Sequence, residues 1–371
     1  MKITDVQTIL VNVEMKNWVF VKVFTDEGIT GLGEATLEDK ALTVKEQIEN
    51  YKDKILGEDP FNIEKIWQKL YYHGFWRGGV VMNTAVSGIE HALWDIMGKK
   101  LDVPVYKLLG GKYNDKIPVY ATSRVLSGET IDECLEYAQD LVDRGFTAFK
   151  GDPFGNADRK IGKKELDWAM EKIRAVKKEF DDDLGICIEG HGRFNVDTAI
   201  KIARRLEEFD PLFFEEPVPP ENVDVLLKVS KAANVTIATG ERKFTKFDYR
   251  EVLEKQPATI IQPDICHTGG ILELKKIAAM AEARYIPVAP HNPNGPVATA
   301  ANIHVMATIP NIFRLEYLSS DVPWRDELLV DPIEFEDGYV KIPERPGLGV
   351  ELNEDVVREH PYKKAKYALF S

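Results

Sequence analysis

Cysteine is scarce in this 371-residue chain: Cys134, Cys187 and Cys266 stand apart, with no C-x-x-C pair. That excludes a disulfide framework and a thiolate zinc cluster, and leaves three small buried side chains in a reducing compartment. Positive charge is also short. Lysine and arginine number 48 against 61 acidic residues, a formal net charge of −13. A nucleic acid or an anionic membrane surface would be repelled by that balance. A small anionic substrate held through a divalent cation would not be. No apolar run is long enough to span a bilayer. The opening Met1-Lys2-Ile3-Thr4-Asp5 has no signal-peptide apolar region, so a cytoplasmic protein is expected.

What is present suits a barrel with a smaller companion domain, since 44% of residues are hydrophobic and the length exceeds one ordinary compact core. Residues 1–35 read as an antiparallel meander, with strands near Ile9–Val13 and Val19–Phe24 and a turn at Asp26-Glu27-Gly28. From Leu42 to Leu109 the pattern turns helical, most clearly over Asn83–Met97. After Gly111 apolar strands alternate with helices: Ile117–Ala121, Thr147–Lys150, Gly185–Glu189, Leu212–Glu216, Val235–Thr239, Thr259–Gln262, Ile286–Pro290 and Ile312–Glu316. Eight strands separated by seven helices imply a closed parallel barrel or an open doubly wound sheet. Neither G-x-G-x-x-G nor a P-loop follows the first of them, which disfavours a nucleotide-binding sheet. The expected division is a capping domain over residues 1–113, a barrel over 114–320, and a segment over 321–371 that folds back on the cap.

In a barrel, reacting groups sit where strands end at the C-terminal face. Here those ends supply Lys150, Glu189, Glu215, Glu241, Asp264, His291 and Glu316. Any one glutamate alone reads as a solvated residue ahead of a helix. Glu189, Glu215 and Glu241, however, are each separated by 26 residues, one strand–helix unit. They therefore converge from adjacent strands, and three close carboxylates repel unless a cation neutralises them. All-oxygen ligands favour Mg²⁺ or Mn²⁺ over zinc. Asp264 and His291, one unit further on, make a carboxylate–imidazole pair suited to proton abstraction.

The set Glu189-Gly190-His191-Gly192-Arg193, Glu215-Glu216-Pro217, Gly240-Glu241-Arg242, Asp264-Ile265-Cys266-His267-Thr268-Gly269-Gly270 and His291-Asn292-Pro293 resembles the enolase superfamily. Within it, the mandelate racemase subgroup and its sugar-acid dehydratases of the galactonate dehydratase type are most similar. The resemblance extends to Arg77-Gly78-Gly79, Ala92-Leu93-Trp94-Asp95 and Pro346-Gly347-Leu348-Gly349. It implies an α/β fold, a modified (β/α)7β TIM-like barrel under an N-terminal α+β capping domain. It also implies metal ligands at Glu189, Glu215 and Glu241, a base dyad of His291 and Asp264, and His191 as acid for a departing hydroxyl. Glu316 would hydrogen-bond the substrate carboxylate, and the protein would be a homo-oligomer, dimer or octamer.

Two departures stand out. The first ligand is usually aspartate, and here it is Glu189. Racemases of the subgroup carry Lys-x-Lys on the second strand, where this chain has Lys150-Gly151-Asp152. Without the last lysine, two-base racemisation is disfavoured. Lys150 is then expected to face the substrate carboxylate, and Asp152 a substrate hydroxyl. Trp18, in a loop over Glu14–Phe20, and the patch His73, Trp76 and Arg77 are expected to close over the substrate, with His267 also facing the pocket. The implied activity is dehydration of an acid sugar such as gluconate, galactonate or arabinonate to a 2-keto-3-deoxy acid. The alternatives are a racemase, epimerase or other lyase of the superfamily acting on a different carboxylate, or a non-catalytic relative.

Overall fold

The computed structural model describes residues 1–364 apart from 73, 182, 319 and 320. The chain begins with an antiparallel sheet of β1 (Ile3–Val13), β2 (Lys16–Thr25) and β3 (Thr30–Glu34). Helices α1 (Ala41–Ile55), α2 (Ile63–Tyr72), α3 (Val80–Leu101) and the single turn α4 (Val105–Leu108) follow. Gly31 and Gly33 let β3 lie directly on α3, because a Cβ at either would strike the carbonyls of Ala92 and Gly88.

The barrel strands are β4 (Lys116–Thr122), β5 (Ala148–Gly151), β6 (Gly185–Glu189), β7 (Phe213–Glu215), β8 (Ile237–Thr239), β9 (Ile260–Ile261) and β10 (Leu315–Tyr317). From β4 to β9 they pair in parallel in that order, and β10 pairs in parallel with the other side of β4. The expected strand at Ile286–Pro290 contributes only Val288, which bridges Ile261 on one side and Ile312 on the other. That single residue closes the circle, so the sheet is a barrel rather than an open one. The helices between strands are α5 (Ile131–Asp143), α6 (Lys163–Phe180), α7 (Val196–Leu206), α8 (Val223–Ala232), α9 (Thr245–Lys255), α10 (Ile271–Glu282) and α11 (Pro296–Met306). Thr130 and Glu133 form the capping box expected at the start of α5.

The strands after the barrel, β11 (Phe335–Glu336) and β12 (Tyr339–Lys341), attach to the outer start of β4. The last helix, α12 (Glu354–Glu359), leads the chain back to the cap, where the Asn12 amide donates to the His360 carbonyl and Val11 pairs with Pro361.

Cap and barrel are joined through buried carboxylates. Glu34, from the end of β3, accepts the amides of Gly295 at 2.6 Å and Ala298 at 2.8 Å, at the N-terminus of α11. Glu90, from α3, accepts those of Ile271 at 2.8 Å and Leu272 at 2.9 Å, at the N-terminus of α10. Each carboxylate meets the unpaired amides and positive dipole end of a barrel helix. Asp95 similarly accepts the amides of Leu32 and Leu348 and pairs with Lys99.

One expectation fails here. There is no loop over Glu14–Phe20: β1 and β2 are joined by a tight turn at Glu14-Met15, with Glu14 at a φ of 60°. Trp18 therefore lies within β2, fully buried and edge-on to Phe20 and Trp324. Both faces of β2 are buried at this point, and the ring belongs to the same core cluster as Val19, Phe20 and Val21 rather than to a ligand site.

Candidate active site

The C-terminal ends of the barrel strands open into a cavity of about 770 Å³, lined by barrel residues and by Leu37, Glu38 and Val80 of the cap. Glu189, Glu215 and Glu241 meet at its floor, each offering an oxygen within 4.8 Å of the others. Adjacent parallel strands set this convergence, since Glu189 is paired with Glu215 in the β6–β7 register. The longer side chain of Glu189 is accommodated by folding back: Oε1 accepts the His191 amide at 2.5 Å, which leaves Oε2 for the centre.

Lys150 Nζ lies 3.1 Å from Glu189 Oε2, 2.9 Å from Glu215 Oε2 and 3.0 Å from Glu316 Oε1. Burial would lower the lysine, but Glu215 and Glu316 hold it well above its ordinary range. This one ammonium is shared among three carboxylates. Glu215 Oε1 is buried with no hydrogen-bond partner among the described residues. Burial and the neighbouring Glu189 push the Glu215 carboxyl well up, against the pull of Lys150. Oxygen-only donors, mutual repulsion and an unmatched buried oxygen fit a hard divalent cation such as Mg²⁺.

Two imidazoles flank this floor, each with its own aspartate. His291 Nδ1 is 2.8 Å from Asp264 Oδ2, and its Nε2 is 3.1 Å from Glu241 Oε2. Asp264 is further fixed by Asn294 Nδ2 at 3.0 Å and by the Cys266 amide at 2.7 Å. Burial favours its neutral form, but His267, His291 and Asn294 outweigh this and bring it down to about 2. Burial likewise disfavours the His291 imidazolium, yet Glu241, Glu316 and Asp264 hold that histidine up at about 10. His191 Nδ1 is 2.9 Å from Asp152 Oδ2, and Arg193 also contacts that oxygen.

Glu316 is committed on both oxygens. Oε1 meets Lys150 and accepts Thr122 Oγ1 at 2.5 Å, and Oε2 accepts the Asn292 amide at 2.9 Å. Burial raises its carboxyl, but Lys150 and His291 more than offset this and hold it near 2. An ionised carboxylate only accepts hydrogen bonds, so in this arrangement Glu316 anchors Lys150 and the His291 loop.

The structure thus brings together Lys150, Glu189, His191, Glu241, His291 and Glu316 around the cavity, with Glu215 beneath and Asp264 behind His291. His267 also lines it, its Nδ1 2.8 Å from Thr84 Oγ1 of the cap. Asp152 does not face the cavity; it stands behind His191. Trp76 is exposed and Arg77 lies over the Tyr72 ring at 4.6 Å, so neither reaches the lining, and His73 falls outside the described residues. Sequence reasoning passed over Thr122, because a hydroxyl at the one non-ionisable strand end carries no charge signal. Leu37 and Glu38 lie in a turn with no periodicity to mark them.

Residues 2–110 match the mandelate racemase / muconate lactonizing enzyme N-terminal domain, and residues 133–356 match the enolase C-terminal domain-like family. The chain belongs to the mandelate racemase / muconate lactonizing enzyme family. Among curated members, a D-galactonate dehydratase of Pectobacterium atrosepticum is 38% identical over 97% of this chain and 94% of its own. A D-xylonate dehydratase of Haloferax volcanii is also 38% identical, over 97% of this chain and 89% of its own. A mandelate racemase/muconate lactonizing enzyme-like protein from Roseovarius sp. TM1035 superposes with a TM-score of 0.92 at 36% identity, covering 98% of this chain and 96% of that one. Among the described residues, no helix of this family member is long and apolar enough to cross a membrane.

Proposed function

We propose that this chain is a Mg²⁺-dependent aldonate dehydratase that converts an acid sugar into its 2-keto-3-deoxy acid. The observation that carries the reading is the pair of Asp–His dyads flanking a carboxylate trio at one barrel mouth. Support also comes from relatives named D-galactonate and D-xylonate dehydratases at 38% identity. The reading divides the chain into a cap over 1–113, a catalytic barrel over 114–320 and a segment over 321–371.

Glu189, Glu215 and Glu241 would hold the ion. When bound, it supplies positive charge that stabilises a substrate carboxylate while the adjacent carbon is deprotonated. Asp264 accepts from His291 Nδ1, and an ion on Glu241 would offset the carboxylate that does most to hold His291 protonated, so that in the neutral ring the lone pair needed for taking the C2 proton would be on Nε2. His191 delivers a proton to the departing C3 hydroxyl, and the resulting enol tautomerises to the 2-keto acid. Lys150 adds positive charge beside the reacting carboxylate, held in place by Glu316. The cavity, at about 770 Å³, has room for a six-carbon acid chain beneath Leu37 and Val80.

The test is a panel of galactonate, xylonate, gluconate and arabinonate incubated with purified protein and Mg²⁺. A 2-keto-3-deoxy product from at least one acid, lost on chelation, is expected. Absence of turnover across the panel would remove the proposal. Deuterium incorporation at C2 without elimination would favour an epimerase instead.

A further inference from the structure

The site holds a second aspartate–histidine dyad for which the first offers a template. Asp152 lies two residues beyond Lys150, just after β5 has ended. Its Oδ1 accepts the Phe154 amide at 2.9 Å, a local turn that immobilises the carboxylate. Oδ2 is thereby turned to His191 Nδ1, 2.9 Å away, and to Arg193. Arg193 is itself tied to the Gly155 carbonyl at 3.0 Å. The contact uses the same atom pair as Asp264 Oδ2 and His291 Nδ1 at 2.8 Å.

The backbone also serves this aim. His191 and Gly192 both adopt left-handed conformations, with φ of 50° and 59°. A Cβ at Gly192 would run into the Arg242 guanidinium. His191 is thus held at a strained position, which persists only where surrounding contacts over-determine it. Asp152 lies outside the cavity lining while His191 lies within it, so the aspartate acts through the ring.

We infer that Asp152 is the positioning residue of the leaving-group acid: it fixes the His191 ring through Nδ1–H, so that the imidazolium presents its Nε2 proton to the C3 hydroxyl and is left as the Nδ1–H tautomer. This deepens the dehydratase reading and rests on it. The position where racemases of the subgroup carry their second lysine then serves not to abstract a proton but to aim one. An ionised carboxylate can only accept, so the proton on Nδ1 is dictated, and Nε2 carries the one that leaves.

The test compares Asp152→Asn, His191→Gln and the double variant in deuterated water, with Mg²⁺ and whichever aldonate the wild type turns over. Two quantities are read: elimination, and deuterium at C2 of the recovered substrate. For Asp152→Asn, elimination should fall about 10–100-fold, the scale on which a metal-bound histidine's loss of its carboxylate partner lowers activity. KM should change little. C2 exchange should continue, since His291 and Asp264 are untouched, so the exchange-to-elimination ratio rises. Adding Asp152→Asn to His191→Gln should cost nothing further, because both act through one proton. Parallel loss of exchange and elimination, an additive double variant, or unchanged elimination would each overturn the inference. A wild type with neither exchange nor turnover on any aldonate would instead strike the underlying reading.

Discussion

Two regions of this molecule bury carboxylates, and they treat them in opposite ways. Around the cap, Glu34 and Glu90 face amides of barrel helices and Asp95 faces those of Leu32 and Leu348, two apiece. At the barrel mouth, Glu189, Glu215 and Glu241 face one another, and Glu215 Oε1 has no hydrogen-bond partner among the described residues. A buried carboxylate met by backbone amides holds structure together; one crowded by other carboxylates, with an oxygen left unmatched, is costly unless a cation arrives. The contrast separates residues kept for folding from residues kept for chemistry, although both sets are largely hidden from solvent.

The largest expected effect sharpens that separation. His291→Asn should lower turnover by about 10²–10⁴-fold, the usual scale for a general base. It should still unfold cooperatively, because Asp264 keeps Asn294 and the Cys266 amide as partners. Steady-state kinetics and urea unfolding on one preparation would check both. A variant that loses both together would blur the distinction.

Glu90 tests how far donors compensate for burial. Burial outweighs its two amides and Trp94, so its carboxyl is raised from 4.5 to about 7. For an acid raised in the folded state, the fold holds the proton more tightly than the unfolded chain between those values. Its contribution is therefore most favourable below pH 4.5 and is lost as pH rises through 7. The loss is at most about 3 kcal/mol, at about 1.4 kcal/mol for each tenfold difference in proton affinity between the folded and unfolded chain. Urea midpoints at pH 5 and pH 8 should diverge more for wild type than for Glu90→Gln. Equal slopes would show that the amides compensate fully.

Mg²⁺ should act on the mouth alone. At about a hundredfold over its Kd, it should raise unfolding free energy by about 2.7 kcal/mol, and Glu241→Gln should abolish the response. Glu34→Gln marks the other region: with one acceptor oxygen for two amides, it should cost about 1–3 kcal/mol while leaving the Mg²⁺ response intact. Thermal unfolding with and without the ion would distinguish the two variants.

Much of the mouth was legible in the sequence because a barrel converts regular spacing into proximity. Glu189, Glu215 and Glu241 recur every 26 residues, and the register of adjacent strands does the rest. The cap was less legible. Trp18 read as a loop aromatic because the turn at Glu14-Met15 lacks glycine, so the hairpin was hidden and its strand was shifted outward. Asp152 was placed at the right site but given the wrong neighbour. Its contact with His191 depends on two left-handed residues in series, and a non-glycine one is not marked by composition. Glu34 and Glu90 had no sequence signal either, since their partners are amides 181 to 264 residues away.

The most direct measurement is a calorimetric Mg²⁺ titration of wild type and Glu215→Gln, paired with urea unfolding of both in chelator. Wild type should bind one ion, Glu215→Gln should bind none, and the variant should be the more stable of the two without metal at neutral pH, because it removes a carboxyl whose ionisation burial and Glu189 oppose. A Glu215→Gln protein that binds Mg²⁺ as tightly as wild type, or that unfolds more easily in chelator, would contradict the assignment of these carboxylates to a cation.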